Sequence, residues 1–260
     1  MLLLGGMGGT WRSGDFVFKR ASYDAGWYEW ESLALAAART DRVRVQRVRR
    51  AGDGRLVVDR WVALDYVSGT HEPQRWPEII EAGDAFHAAL AEIPDRLARP
   101  PGRRRDDAWS VADRIAWGEL DVPAEPASSD EALTELLDAR RPVAVPSQLV
   151  HGDLTGNVLF ADGLAPGIID FSPYVRPAAY AIGVVIGDAI TWEGADLGLL
   201  EGVSGRPEMG QCLVRALIFR HVTALLLPGT LPAGDAARRY AALRSAAIAL
   251  SKTSGGTSRS

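Results

Sequence analysis

Two short stretches in the middle of the chain carry side chains of the kind that handle charged oxygen. One is His151-Gly152-Asp153-Leu154-Thr155-Gly156-Asn157, and the other is Ile169-Asp170-Phe171-Ser172. Between them, Val158-Leu159-Phe160 and Gly167-Ile168-Ile169 read as short apolar strands around the turn Ala161-Asp162-Gly163. Asn157 stands just before the first strand and Asp170 just after the second. The spacing therefore predicts that they face each other across a hairpin, roughly 5 Å apart. An amide oxygen with a carboxylate suits Mg²⁺, which keeps waters and takes its remaining ligands from phosphates. Asp153, on the loop ahead of Asn157, is placed to accept a proton from an incoming hydroxyl beside such an ion.

A matching positive charge stands near the start of the chain. The basic residues are 27 Arg and only two Lys, Lys19 and Lys252. Lys19 ends the alternating run Phe16-Val17-Phe18-Lys19, which follows an apolar start and a glycine-rich turn. This pattern predicts a β-hairpin whose loop, with Gly6, Gly8 and Gly9, lacks Cβ bulk and can close backbone N–H groups over phosphates. Lys19 then reaches the α- and β-phosphates, and Glu31 on the following helix is the candidate partner that orients it. Glu29, two residues earlier, is the alternative partner. All parts converge on one nucleotide.

The elements that must position these groups divide the chain in two. Residues 24–38 place Trp27, Trp30, Ala34 and Ala37–Ala38 at helical spacing, with Glu31 on the same stripe. Val43–Val48, Leu56–Val58 and Trp61–Val67 read as three further strands, so residues 1–67 form a small β-rich unit holding one helix. Residues 68–252 turn helical, with helices expected over Ile79–Leu90, Asp107–Leu120, Ser129–Arg140, Ala179–Thr191, Gln211–Leu227 and Ala236–Ser251. Residues 253–260 are small and polar and read as a disordered tail. His151 is expected to brace the loop, His87 to sit satisfied in the core, and Trp11, Trp27, Trp30 and Trp61 to pack the small unit. No role is assigned to His71 or His221. The run Arg103-Arg104-Arg105 reads as a solvated approach to a helix.

The glycine-rich hairpin, Val17-Phe18-Lys19, His151-Gly152-Asp153 with Asn157, and Ile169-Asp170-Phe171 together resemble the aminoglycoside phosphotransferase-like kinases. These share the protein-kinase fold and include choline and homoserine kinases. Gly9-Thr10-Trp11-Arg12, Ile169-Asp170-Phe171-Ser172-Pro173-Tyr174 and Trp192-Glu193-Gly194-Ala195 look like an uncharacterised actinobacterial branch of them. The resemblance implies an α+β bilobal kinase-like fold: a small antiparallel N-lobe with one helix and a larger, mainly helical C-lobe. It implies ATP and Mg²⁺ in the cleft, with Asp153 as catalytic base, Asn157 and Asp170 as metal ligands, Lys19 on the phosphates and Glu31 as its partner. It further implies that the segment from Asp65 to Val67 is the hinge whose backbone binds adenine. Three departures stand out. Ser172 replaces a frequent glycine, Tyr180-Ala181-Ile182 lacks a frequent Asp, and the chain begins almost at the glycine-rich loop, so a shortened first strand is expected.

Composition narrows the function classes. The net charge of −4 gives no electrostatic reason to expect nucleic acid, and no run of about 18 apolar residues suggests a membrane partner. One cysteine, Cys212, cannot form an internal disulfide or a thiolate zinc site, which fits a reducing cytoplasmic compartment. The first reading is an ATP- and Mg²⁺-dependent phosphotransferase acting on a hydroxyl of a small molecule. The alternative is a nucleotide-binding pseudokinase that senses a ligand. The acidic stretch Glu193, Asp196, Glu201 is a candidate attractor for a cationic acceptor, against a solvated loop as the plain reading. No motif encodes the acceptor's identity or the oligomeric state.

Overall fold

The computed structural model describes residues 2–3, 9–101, 106–122, 130–227 and 229–253. The N-terminal part is built on strands β1 (Leu2–Leu3), β2 (Thr10–Ser13), β3 (Phe16–Arg20), β5 (Val48–Arg49), β6 (Val57–Val58) and β7 (Trp61–Asp65). They pair in the order β1-β2-β3-β7-β5, with β6 also on β7. β7 shows the expected period of two: Val62 and Leu64 are buried while Trp61, Ala63 and Asp65 are not. The glycine-rich segment therefore joins β1 to β2, and a second tight turn at Gly14 leads into β3, giving three strands where the pattern predicted two.

Helix α1 (Ala25–Ala37) starts at Asp24, whose carboxylate accepts from the Trp27 N–H at 2.9 Å. It buries Trp27, Tyr28, Trp30, Ala34 and Leu35, and Glu31 lies on the same buried face. Trp11, expected to pack, stands 48% exposed because β2 turns that face outward.

The predicted strand Val43–Val48 is two strands serving two sheets. β4 (Arg44–Val45) runs parallel to β10 (Gly167–Ile168), which pairs antiparallel with β9 (Val158–Leu159). β5 instead joins β7 in the larger sheet. The chain changes sheets at Gln46-Arg47, so a strand early in sequence is stitched to the hairpin carrying the central motifs. A further pair, β8 (Gln148–His151) with β11 (Pro173–Arg176), flanks those motifs and had no clear alternation in sequence.

The C-terminal part is a helical layer: α2 (Trp76–Ala91), α3 (Ala108–Ala116), α4 (Glu131–Ala139), α5 (Ala178–Thr191), α6 (Met209–Leu226) and α7 (Gly234–Thr253). α5 is buried almost all round, as a helix apolar on every face must be. It crosses α6 closely because a Cβ on Gly183 would lie 3.2 Å from the Cys212 carbonyl oxygen. α6 is long and apolar enough to cross a membrane by hydropathy, yet 83% of it is buried among its neighbours. The run Arg103-Arg104-Arg105 lies outside the described residues.

Candidate active site

The loop from His151 to Asn157 leaves β8 and enters β9, and the segment from Ile169 to Ser172 leaves β10 and enters β11. His151 fastens the two together. Its Nδ1 accepts from the N–H of Asp153 at 3.2 Å and of Ser172 at 3.5 Å, and its Nε2–H donates to the Ile169 carbonyl at 3.0 Å. An imidazole that accepts at one nitrogen and donates at the other must be neutral, and burial indeed pushes its pKa down. His87 on α2 braces the same point, its Nε2 accepting from the His151 N–H at 3.1 Å. Full burial drives the His87 pKa down to about 3. Its Nδ1 is buried without a partner among the described residues, so it is only half satisfied.

Steric demands fix the loop's glycines. A Cβ on Gly152 would sit 2.4 Å from Tyr174 Cδ2, and Gly156 has φ +79°, in the left-handed region. Leu154 is fully buried against α2, where a Cβ on Gly83 would meet its Cδ1 at 2.6 Å. Phe171 packs against Trp30 of α1, Phe86 of α2 and the His151 ring. One aromatic ring thus joins the helix of Glu31 to the loop of Asp153.

Asp170 has φ +51°, a strained setting for a residue with a Cβ that Asp tolerates better than most. Ser172 Oγ donates to the Asp170 carbonyl at 3.2 Å, a bond glycine at that position could not supply. Asp170 Oδ1 accepts from Lys19 Nζ at 2.5 Å, joining groups 151 residues apart. Burial works against the Lys19 charge, but Asp170 and then Glu31 outweigh it, so the ammonium pKa is raised. Glu31 makes no direct salt bridge to Lys19. Burial lifts its pKa to about 7, with Lys19 only partly opposing. Glu29 points elsewhere, pairing with Arg50 at 2.5 Å, so Glu31 is the carboxylate that faces Lys19.

The hairpin register is β9 Val158 opposite Ile168 and Leu159 opposite Gly167. Extended by one residue, this sets Asn157 opposite Ile169, whose N–H donates to the Asn157 carbonyl at 3.0 Å. Asp170 is thus diagonal to Asn157 and not directly across from it, one position off the expected pairing. Asn157 Nδ2 donates to the Asp153 carbonyl at 2.7 Å, which leaves the amide oxygen as the end that could meet a cation. That oxygen and the Asp170 carboxylate are hard donors of the kind Mg²⁺ takes alongside water and phosphate oxygens. Among the described residues no group of three or more His, Cys, Asp or Glu is placed to hold a metal.

Around the segment Asp65 to Val67 the polar groups are unevenly engaged. The Asp65 N–H donates to Arg47 and the Tyr66 N–H to Asp15, while the Asp65 carbonyl accepts from Gln46 Nε2 at 2.9 Å. The Val67 backbone has no hydrogen bond among the described residues, and its side chain fills the space a Cβ on Gly167 would need. Gln46, not singled out in the sequence, uses its other end, Oε1, to accept from the Asp170 N–H at 3.3 Å. It couples the strand end at Asp65 to Asp170 from the point where the chain changes sheets. Gly9 has φ +79° and open space around it, whereas Gly6 and Gly8 lie outside the described residues.

The sequence also missed the groups that hold Asp153. Arg220 on α6 donates from Nη2 to Asp153 Oδ1 at 2.8 Å and grips Asp188 on α5 at 2.5 and 2.8 Å. Burial opposes the guanidinium charge, but the two carboxylates outweigh it and raise its pKa. Asp188 is raised by burial, with Arg220 opposing. An isolated Arg and Asp on apolar helices were the only signals, since buried charges are nearly always paired. Asp188 lies on the helix where the frequent family Asp is missing, two turns past Ala181.

The acidic stretch is largely engaged in structure. The Glu193 carboxylate accepts from Trp76 Nε1 at 2.5 Å and meets His71 Nε2 at 3.1 Å, and Asp196 caps a short turn through the Gly198 N–H at 2.7 Å. His221 is likewise structural, held by Tyr240 and Asp130.

Solved structures that share this architecture include phosphotransferases and kinases of small molecules. A thermostable mutant of aminoglycoside phosphotransferase APH(4)-Ia, apo form, aligns over 99% of this chain and 95% of its own, with 16% identity and a TM-score of 0.61. A choline/ethanolamine kinase family protein from Mesorhizobium loti aligns over 94% and 89% at 16% identity and TM-score 0.54. Amicoumacin kinase hAmiN, in complex with AMP-PNP, Ca²⁺ and Ami, aligns over 95% and 88% at 10% identity and TM-score 0.58. No curated protein matches the sequence at a significant level. The model of the phosphotransferase enzyme family, however, matches residues 9–211, which span β2, β3 with Lys19, both central motifs and α5. With the bilobal kinase-like fold around them, that match shows that this chain belongs to the phosphotransferase enzyme family.

Proposed function

We propose that the chain transfers the γ-phosphoryl group of ATP to a hydroxyl of a small molecule, with Mg²⁺ as cofactor. The observation that carries this reading is the meeting of Lys19 with Asp170 at 2.5 Å, beside the loop that holds Asp153 and Asn157. Lys19 would bind the phosphates, and buried Glu31 behind it would favour its charged form. The backbone from Gly6 to Gly9 would close over them, and Asp65 and Val67 would offer the hinge groups that take adenine. Asp170 and the Asn157 amide oxygen would hold the cation, which when bound neutralises phosphate charge. Asp153, oriented by Arg220 and Asn157, would receive the acceptor's proton. The acceptor oxygen then bonds the γ-phosphorus, and the bond to the β–γ bridging oxygen breaks with its electron pair leaving on ADP.

Two features of the chain support catalysis by positioning. Lys19 and Glu31 stand on a strand and a helix, and the two loops that carry Asp153, Asn157 and Asp170 are cross-linked by neutral His151. Purified protein with Mg²⁺ and ATP, assayed over a broad panel of hydroxylated acceptors, should release ADP in an acceptor-dependent way, and Asp153→Asn should lower kcat at least a hundredfold. Nucleotide binding without turnover across the panel would instead support a pseudokinase that senses ligands. Failure to bind Mg-ATP would refute both.

A further inference from the structure

Beside Asp153 the helical layer holds a pocket of about 510 Å³, lined by Trp109 on α3, Trp192 at the end of α5 and the turn joining α6 to α7. That volume is in the range of sites for drug-sized molecules. Arg220 and Asp188 lie on its wall, and Arg220 also bonds Asp153, so the pocket opens one side chain away from the proposed base.

The lining states what it would accept. Among the described residues its only ionic groups are Asp188 and Arg220, bonded to each other through two contacts of 2.5 and 2.8 Å, so both Asp188 oxygens are already engaged by a guanidinium that Asp153 shares. The nearby acidic side chains Glu193 and Asp196 are bound by Trp76 and by the Gly198 N–H. Apart from Thr223 and Thr230 the rest of the wall is apolar or aromatic, with Trp109, Trp192, Leu227 and Leu231. Trp192 is 43% exposed and Leu231 46%, so this wall presents apolar surface to whatever enters the pocket. Thr223 is also on the wall, but its hydroxyl oxygen is buried, without a partner among the described residues. A polycation would have to give up its hydration against a mostly apolar wall whose one carboxylate, Asp188, is already held by Arg220.

We infer that the phosphoryl acceptor is an uncharged alcohol with a flat aromatic or fused-ring body, seated against Trp109 and Trp192, that turns its hydroxyl toward Asp153. This deepens the proposed phosphoryl transfer and rests on it. The ring would stack on or pack edge-on to the indoles, which accounts for two tryptophans on one small wall.

Equilibrium dialysis with Mg²⁺ and AMP-PNP tests the pocket, using tryptophol and naphthylethanol as ring-bearing probes and choline and ethanolamine as cationic ones. Acceptor-dependent ADP release is measured alongside with ATP. The ring-bearing alcohols should bind saturably, and Trp192→Ala and Trp109→Ala should each weaken binding about tenfold, the loss appearing in the acceptor KM more than in kcat. Trp192→Phe, which keeps an aromatic wall, should recover most of the affinity, separating a lost contact from a damaged fold. Preferential binding of the cationic probes overturns the inference, as does absence of binding by the ring-bearing alcohols or equal binding by wild type and both alanine variants. Tryptophan-dependent binding without ADP release would support the pocket's chemistry and refute phosphoryl transfer.

Discussion

Arg220 is the cation on which two carboxylates depend, and replacing it separates their contributions. Asp188 keeps 10% of its side chain exposed and Asp153 43%, against 15% for Arg220. Arg220→Met would therefore strand one nearly buried carboxylate and one half-exposed one. Leaving a buried charge unpaired costs about 3–5 kcal/mol, whereas the exposed partner contributes at most about 1 kcal/mol because water screens it. The Asp188 side dominates, and the expected loss in urea unfolding is about 3–5 kcal/mol, or a fall in Tm on the order of 10 °C. Asp188→Asn in the same background removes the stranded charge. The double variant Asp188→Asn with Arg220→Met should then be more stable than Arg220→Met alone by about 2 kcal/mol. A loss below about 1 kcal/mol for Arg220→Met, or simple additivity in the double variant, would refute the reasoning that this cluster is held by charge pairing.

Three further outcomes follow from the geometry. Lys19 and Asp170 are 31% and 49% exposed, so Lys19→Met should change stability by less than about 1 kcal/mol while calorimetric Mg-ATP binding falls at least tenfold; a large drop in stability with binding intact would contradict the site. Buried His87 has its pKa depressed from 6.5 to about 3, so between those values the unfolded chain takes up a proton that the fold refuses, and stability falls as pH falls. Urea titrations should show wild type losing about 1.4 kcal/mol per pH unit more than His87→Phe across that window, whatever Glu31 adds in the opposite sense between 4.5 and about 7; parallel curves would sink the assignment. Gly152→Ala drives a Cβ to 2.4 Å from Tyr174, and should lower stability by about 1–3 kcal/mol and slow turnover by displacing Asp153; Tyr174→Leu in the same protein should restore part of both, and a neutral Gly152→Ala would show that the contact is not tight.

Local chemistry was enough to mark most of the helices and the residues proposed for the candidate site. Helical spacing around Trp27, Trp30 and Ala34 marked α1 and put Glu31 on its buried face, and burial of α5 followed from a run with no polar side. The near-absence of lysine singled out Lys19, and the hairpin between Asn157 and Asp170 was legible from two apolar triplets and a turn. These signals are short-range, carried by residues within a turn or a strand of one another.

Contacts between distant segments were settled only by folding. The break at Gln46 follows from two sheets competing for one strand, and nothing in Val43–Val48 marks which residue is shared. The one-residue offset of Asp170 from Asn157 depends on where the turn closes, and a period-two pattern of two residues is too short to set register. β8 and β11 are strands because they pair with each other across the motif loops, so their residues needed no alternation of their own. Arg220, Asp188 and Asp153 come from three elements, and a lone charge on an apolar helix does not name its partner. Residue type and spacing thus determined which groups could bind phosphate and carry a proton. Only the tertiary structure decided which groups hold them in place and which pocket lies beside them, because pairing energies between segments far apart in sequence depend on distance and burial that sequence order does not contain.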